Sequence, residues 1–223
     1  MKPSHVLLAC LTLLAACASS PKAPPGGGPP TAGGVARGEA ILAEARKART
    51  DKGCAAAAPA YRVAAGMGAG FEAAQHELGE CLIAMTGASP AETALFHDEG
   101  LFWLRRAAFA GNARAERALA LFYGAANNSL ASPAEALKWA LVYQKNGDAE
   151  LFGYQGLPPT FTPGLARAVS PEALAAAEKF AASFAPITLA PYKAAHAKPE
   201  PAAKDRPPGD GPPPGGGGRR PRR

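Results

Sequence analysis

The sequence offers few groups that could carry a reaction. Of its four histidines, His5 lies in an apolar leader and His196 in a Pro/Gly-rich tail, which leaves His76 and His97 in segments of helical composition. An imidazole titrates near neutrality and suits acid–base work, but a lone helical histidine is far more often structural or solvated. Asp98-Glu99 is a carboxylate pair, yet adjacent residues do not face one another on a helix, so it reads as helix-surface charge. The serines mostly stand at cap positions, and none occupies the Gly-x-Ser-x-Gly turn that exposes a nucleophile. The glycine runs fall among prolines rather than between a strand and a helix, so they are not phosphate loops. No catalytic residue, no metal and no cofactor is expected, and the chain is read as a non-enzyme. That leaves the cysteines, at positions 10, 17, 54 and 81.

The first two belong to the leader. Met1-Lys2 gives a short positive start, Val6 to Leu14 is an apolar run interrupted by Thr12, and Ala15-Ala16 supplies small residues. This is the n-region, h-region and cleavage pattern of a secretory signal. The run is too short for a membrane-spanning helix, which needs roughly 20 apolar residues. Leu14-Ala15-Ala16-Cys17 resembles the lipobox of bacterial lipoproteins. The resemblance implies cleavage between Ala16 and Cys17, diacylglycerol on the Cys17 sulfur, and an acyl chain such as palmitate on its new amine. Two or more chains anchor stably, at about 0.8 kcal/mol per buried CH₂. The alternative is a cut at Ala16-Cys17-Ala18, which would release a secreted protein. Ala18 and Ser19 follow the cysteine where inner-membrane lipoproteins often carry aspartate, so the resemblance favours the outer membrane, facing the periplasm.

Composition divides the rest. Residues 17–35 contain Pro24-Pro25-Gly26-Gly27-Gly28-Pro29-Pro30, a linker with nothing to bury. Residues 186–223 run through proline and glycine to Arg219-Arg220-Pro221-Arg222-Arg223 and read as a disordered tail. The foldable part is residues 36–185. It holds 14 Lys/Arg against 15 Asp/Glu, whereas the tail holds eight against three, so the basic character belongs largely to the tail. A cationic arm suits anionic lipid headgroups, wall polymers or an acidic protein, or it simply solubilises. Outside the cytoplasm nucleic acid is not an expected partner.

The middle reads as all-α, rich in Ala, Leu, Glu and Arg and poor in β-branched residues. Ser89-Pro90, Ser132-Pro133 and Ser170-Pro171 mark helix starts, since serine caps well and proline suits the first helical position. Two of them carry Glu at the capping-box position, Glu92 and Glu135. Residues 99–123 place Trp103, Ala107, Ala108, Gly111, Ala115, Leu119 and Tyr123 at the spacings of a Sel-one-like repeat, and the segment resembles that tetratricopeptide-related family. A second copy lies upstream in Tyr61, Ala64, Ala65, Gly70, Ala74, Leu78 and Gly79, with two extra residues before Gly70. A partial third begins near Trp139, 36 residues after Trp103, and reaches Gly147.

The resemblance implies a short α-solenoid of two to three antiparallel helix pairs, with capping helices near 37–50 and 170–184. The two alanines permit close helix approach, Gly111 supplies a left-handed turn, and Trp103 and Trp139 are core rather than sugar platforms. Leu157 to Pro163 is expected not to be regular helix. Within such a pair Cys54 and Cys81 would lie at neighbouring ends and could form a disulfide. Two separately buried thiols are the alternative, or a metal site, for which no His or third Cys has ligand spacing. Families of this kind act as adaptors and scaffolds, so a protein or peptide partner in the cell envelope is expected. A peptidoglycan-associated enzyme and a wall tether using the arginine-rich tail are the other readings.

Overall fold

The caps foreseen in the sequence start the helices. In the computed structural model, which describes residues 31–192, Ser89, Ser132 and Ser170 each accept a backbone N–H three residues on, from Glu92, Glu135 and Ala173, at 3.1, 3.4 and 3.3 Å. Glu92 completes its box one residue early, accepting from the amide of Ala88 at 2.7 Å. Asn112 caps in the same way, accepting from Ala115 at 3.0 Å. Ala16, Cys17 and the tail beyond residue 192 lie outside the described residues.

Nine helices follow one another among the described residues, and no strand: α1 Ala32–Lys52, α2 Cys54–Ala65, α3 Glu72–Ala84, α4 Pro90–Phe109, α5 Ala113–Gly124, α6 Pro133–Lys145, α7 Gly147–Leu151, α8 Phe161–Ala168 and α9 Pro171–Ser183. Each of α1 to α5 packs on the next in chain order, and α8 and α9 cover α6. None of these helices is long and apolar enough to cross a membrane. One core gathers Leu42, Tyr61, Phe71, Leu78 and Leu82 around α1–α3 together with Trp103. The other gathers Leu104, Leu119, Leu137 and Trp139 around α4–α6 and is closed by Leu165, Ala177 and Ala181.

Cys54 and Cys81 form a disulfide, with Cα atoms 5.1 Å apart, joining the start of α2 to the end of α3. Gly70 and Gly111, each at the turn before a helix, take φ +88° and +86°. Only glycine does so without strain.

Three expectations are corrected. The linker boundary at 35 is too late: α1 begins at Ala32, where Thr31 accepts from Gly34, and it runs several residues longer than the 37–50 cap foreseen. Residues 161–163 do enter a helix, because Pro163 falls in the first turn of α8, where its missing N–H is no loss. The tail does not begin at 186. Residues 186–192 lie along the body as a strap: Ile187 N–H donates to Phe109 at 2.9 Å, Ala69 N–H to Leu189 at 3.0 Å, and Tyr192 N–H to Gly66 at 2.8 Å. Leu189 is only 7% exposed. The two extra residues before Gly70 help build the loop this strap docks on, and a Cβ on Gly68 would stand 2.8 Å from Pro191 N.

Candidate functional site

Two half-buried polar knots fix the relative positions of the first helices. Glu77 on α3 accepts from Arg46 Nε and Nη2 on α1, at 3.0 and 2.6 Å, and from Tyr61 Oη on α2 at 3.0 Å. Burial pushes the Glu77 carboxyl upward, but these donors outweigh it and hold the group below its ordinary range. Glu99 on α4 accepts from Arg62 Nε and Nη2 on α2, both at 2.7 Å, and from Trp103 Nε1 at 3.2 Å. The carboxylate read as surface charge is thus a bidentate tie between helices.

With the helices so held, a groove of about 660 Å³ opens between α3 and α5. Its floor is apolar: Ile83 and Ala84 from α3, Leu104 from α4, and Ala118, Leu121 and Phe122 from α5. Its rim is cationic: Arg49 from α1, Arg114 and Arg117 from α5, with Tyr154 and Gln155 from the loop after α7. Glu80 is the one carboxylate in the lining, and it is already engaged. It stands 3.3 Å from His76 Nε2 and 3.9 Å from Arg49 Nη1. The His76 hydrogen bond lowers the Glu80 pKa, burial opposes it, and the charges of His76, Arg114 and Arg49 add to the lowering. His76 itself is 2% exposed, and its Nδ1 has no partner among the described residues. Arg117 donates to Gln155 Oε1 at 3.1 Å, while its Nε is buried without a partner. Neither Arg114 nor Arg117 has a carboxylate within ion-pair reach among the described residues.

A second polar site is closed to solvent. Glu116 on α5 is fully buried; its Oε2 accepts from Asn146 Nδ2 at 2.9 Å and its Oε1 has no partner. Asn146 Nδ2 also donates to the carbonyl of Gly111 at 3.0 Å. Burial drives the Glu116 pKa up to about 7, the Asn146 hydrogen bond opposes, and the charge of Asp148 adds to the rise. A titration there would suit a general acid, but no solvent reaches the carboxyl. Its geometry is that of a tie between α5 and the start of α7.

The residues picked out in the sequence mostly form the scaffold behind the groove. Tyr61, Ala64, Ala65, Leu78, Trp103, Ala107, Ala108, Ala115, Leu119, Tyr123 and Trp139 are buried. Gly147 departs from its counterparts: it is exposed at the start of α7, and its φ is not positive. Within the described residues no three His, Cys, Asp or Glu side chains stand together as metal ligands. The α5 part of the groove was legible in principle. Arg114, Arg117, Ala118, Leu121 and Phe122 recur at three- and four-residue spacing along α5, a second stripe beside the buried one. Compared with known proteins, the chain matches no family model and no curated protein.

Proposed function

We propose that this chain is a membrane-anchored interaction module of the bacterial cell envelope: a lipoprotein held by lipid on Cys17 in the outer membrane, facing the periplasm, whose short Sel-one-like solenoid binds a protein or peptide partner. The observation that carries this reading is the groove, an apolar floor with Arg114 and Arg117 at its rim, neither within ion-pair reach of a carboxylate among the described residues. Such a surface suits binding. No nucleophile–base pair accompanies it, so an enzyme of peptidoglycan is the weaker reading. The successive helix packing and the disulfide support the repeat and the exported compartment respectively. The tail, with eight Lys/Arg against three Asp/Glu, supports a secondary contact with an anionic wall or membrane surface.

The test has two parts. Metabolic labelling with palmitate should mark the chain, and Cys17→Ser should abolish the label and move the protein from the membrane to the soluble fraction; equal labelling of the variant removes the anchor. An affinity capture from envelope extract with the Cys17→Ser chain should enrich a partner that is lost when Leu121 is replaced by Asp. Capture that does not depend on Leu121 removes the groove from the function.

A further inference from the structure

The groove's chemistry narrows the partner, given the interaction reading above. We propose that it takes an acidic peptide segment of another protein, in which carboxylates flank a large apolar side chain. Arg114 and Arg117 lie one turn apart on α5, at the rim of an apolar floor that includes Leu121 and Phe122. A guanidinium presents paired donors that match a carboxylate fork, and these two have no carboxylate of their own in reach among the described residues. Glu80 does not fill this role, because His76 and Arg49 already hold it.

The floor separates a peptide from a bare polyanion. A phosphate or uronate chain would satisfy the arginines and leave the floor wet, whereas an apolar side chain between two carboxylates covers both. The chain's own ends are unsuited. The tail's acids, Glu200, Asp205 and Asp210, have no large apolar side chain between them, and the segment 18–30 holds no Asp or Glu. The occupant therefore comes from another molecule. A groove of about 660 Å³ accommodates a few residues, the size of one short linear motif.

Fluorescence anisotropy with the full chain bearing Cys17→Ser tests this. The probe is a short fluorescein-labelled peptide in which Asp/Glu flank a Leu-Phe pair. One control replaces the acids by Asn/Gln, and the other replaces Leu-Phe by Gly-Ser. The acidic apolar peptide should bind at least about tenfold more tightly than either control, the loss of one charge-assisted contact or one anchor. Arg114→Glu and Arg117→Glu should each weaken it by about tenfold or more, and Arg117→Gln by less, with thermal melts unchanged. Deleting 198–223 should leave the affinity unchanged. Equal binding of the Gly-Ser control would overturn the inference in favour of a polyanion. Binding lost with the tail but insensitive to Arg114 and Arg117 would also overturn it, by placing the contact on the tail. If the acidic probe does not bind while envelope capture still depends on Leu121, this assignment fails and the interaction function stands. If capture fails while the probe binds as described, the reverse holds.

Discussion

Glu116 is a carboxyl whose burial works against its own charge. Its counterpart in the upstream helix pair is Gln75, which follows Gly70 by five residues as Glu116 follows Gly111. Gln75 is equally buried, and its Nε2 donates to the carbonyl of Ala65 at 3.0 Å. A neutral amide that donates thus stands at one position where an ionisable acid that accepts stands at the other. The Glu116 pKa is raised to about 7 from an ordinary 4.5, so the native state binds its proton more tightly than the unfolded chain does. The stability this provides is complete below about pH 4.5 and declines as pH rises through about 7. Glu116→Gln should therefore add little stability near pH 4 and on the order of 2 kcal/mol near pH 8. The difference between variant and parent melting curves across that range checks it, because Glu77, Glu80 and Glu99, whose lowered pKa values act in the opposite sense, are common to both proteins. A difference that does not grow with pH would show that Glu116 is ionised at little cost. Asn146 is the other half of this tie. Asn146→Ala should destabilise the chain by about 1–2 kcal/mol in chemical denaturation, since it frees the Gly111 carbonyl as well.

At the scale of elements, α3 and α4 meet almost backbone to backbone. A Cβ on Gly79 would stand 2.9 Å from the carbonyl of Gly100, and one on Gly100 would stand 2.9 Å from the carbonyl of Gly79. Neither backbone can give way alone, so Gly79→Ala and Gly100→Ala should each cost about 1–3 kcal/mol in urea unfolding despite the gain in helix propensity. If either stabilises the protein, the helices are free to separate and the groove beside them is not rigid. The α2–α3 pair is held differently, by the disulfide. Closing a loop of 27 residues contributes on the order of 3–4 kcal/mol in the chain-entropy model, and a Cys54→Ala/Cys81→Ala variant should lose about that much. These elements were partly legible: serine and proline mark three helix starts, and the alanine pair marks a close helix approach, but nothing in the spacing singles out Gly100 as the partner of Gly79. The groove was not, because its residues come from α1, α3, α4, α5 and a loop, and a pattern along one helix does not say which face of the next will meet it. Glu99 was misjudged for the same reason. Its neighbour Asp98 is close in sequence, but its partner Arg62 lies on another helix.

For the whole molecule, the strap is the feature that composition hid. Residues 186–192 sit in a proline-rich stretch that has no periodicity, yet Ile187, Leu189 and Tyr192 supply what the turns need. The strap crosses the α4–α5 turn at Phe109 and the α2–α3 loop at Ala69 and Gly66, so one chain segment spans both cores. Arg106 on α4 hydrogen-bonds the carbonyl of Ala190, and Tyr192 stacks at 4.9 Å on Phe102 and 5.2 Å from Trp103. Three backbone hydrogen bonds and buried Leu189 hold the strap against the entropy of ordering it, so its removal should destabilise the body. A chain ending at 192 should then melt like the full chain, while one ending at 185 should melt a few degrees lower. Hydrogen exchange sharpens the comparison: the Ala69 amide, which donates to Leu189, should be protected in the first and exposed in the second. Equal melting of the two truncations would reduce the strap to a passive extension. The expected difference would instead make it the clasp that joins the two cores.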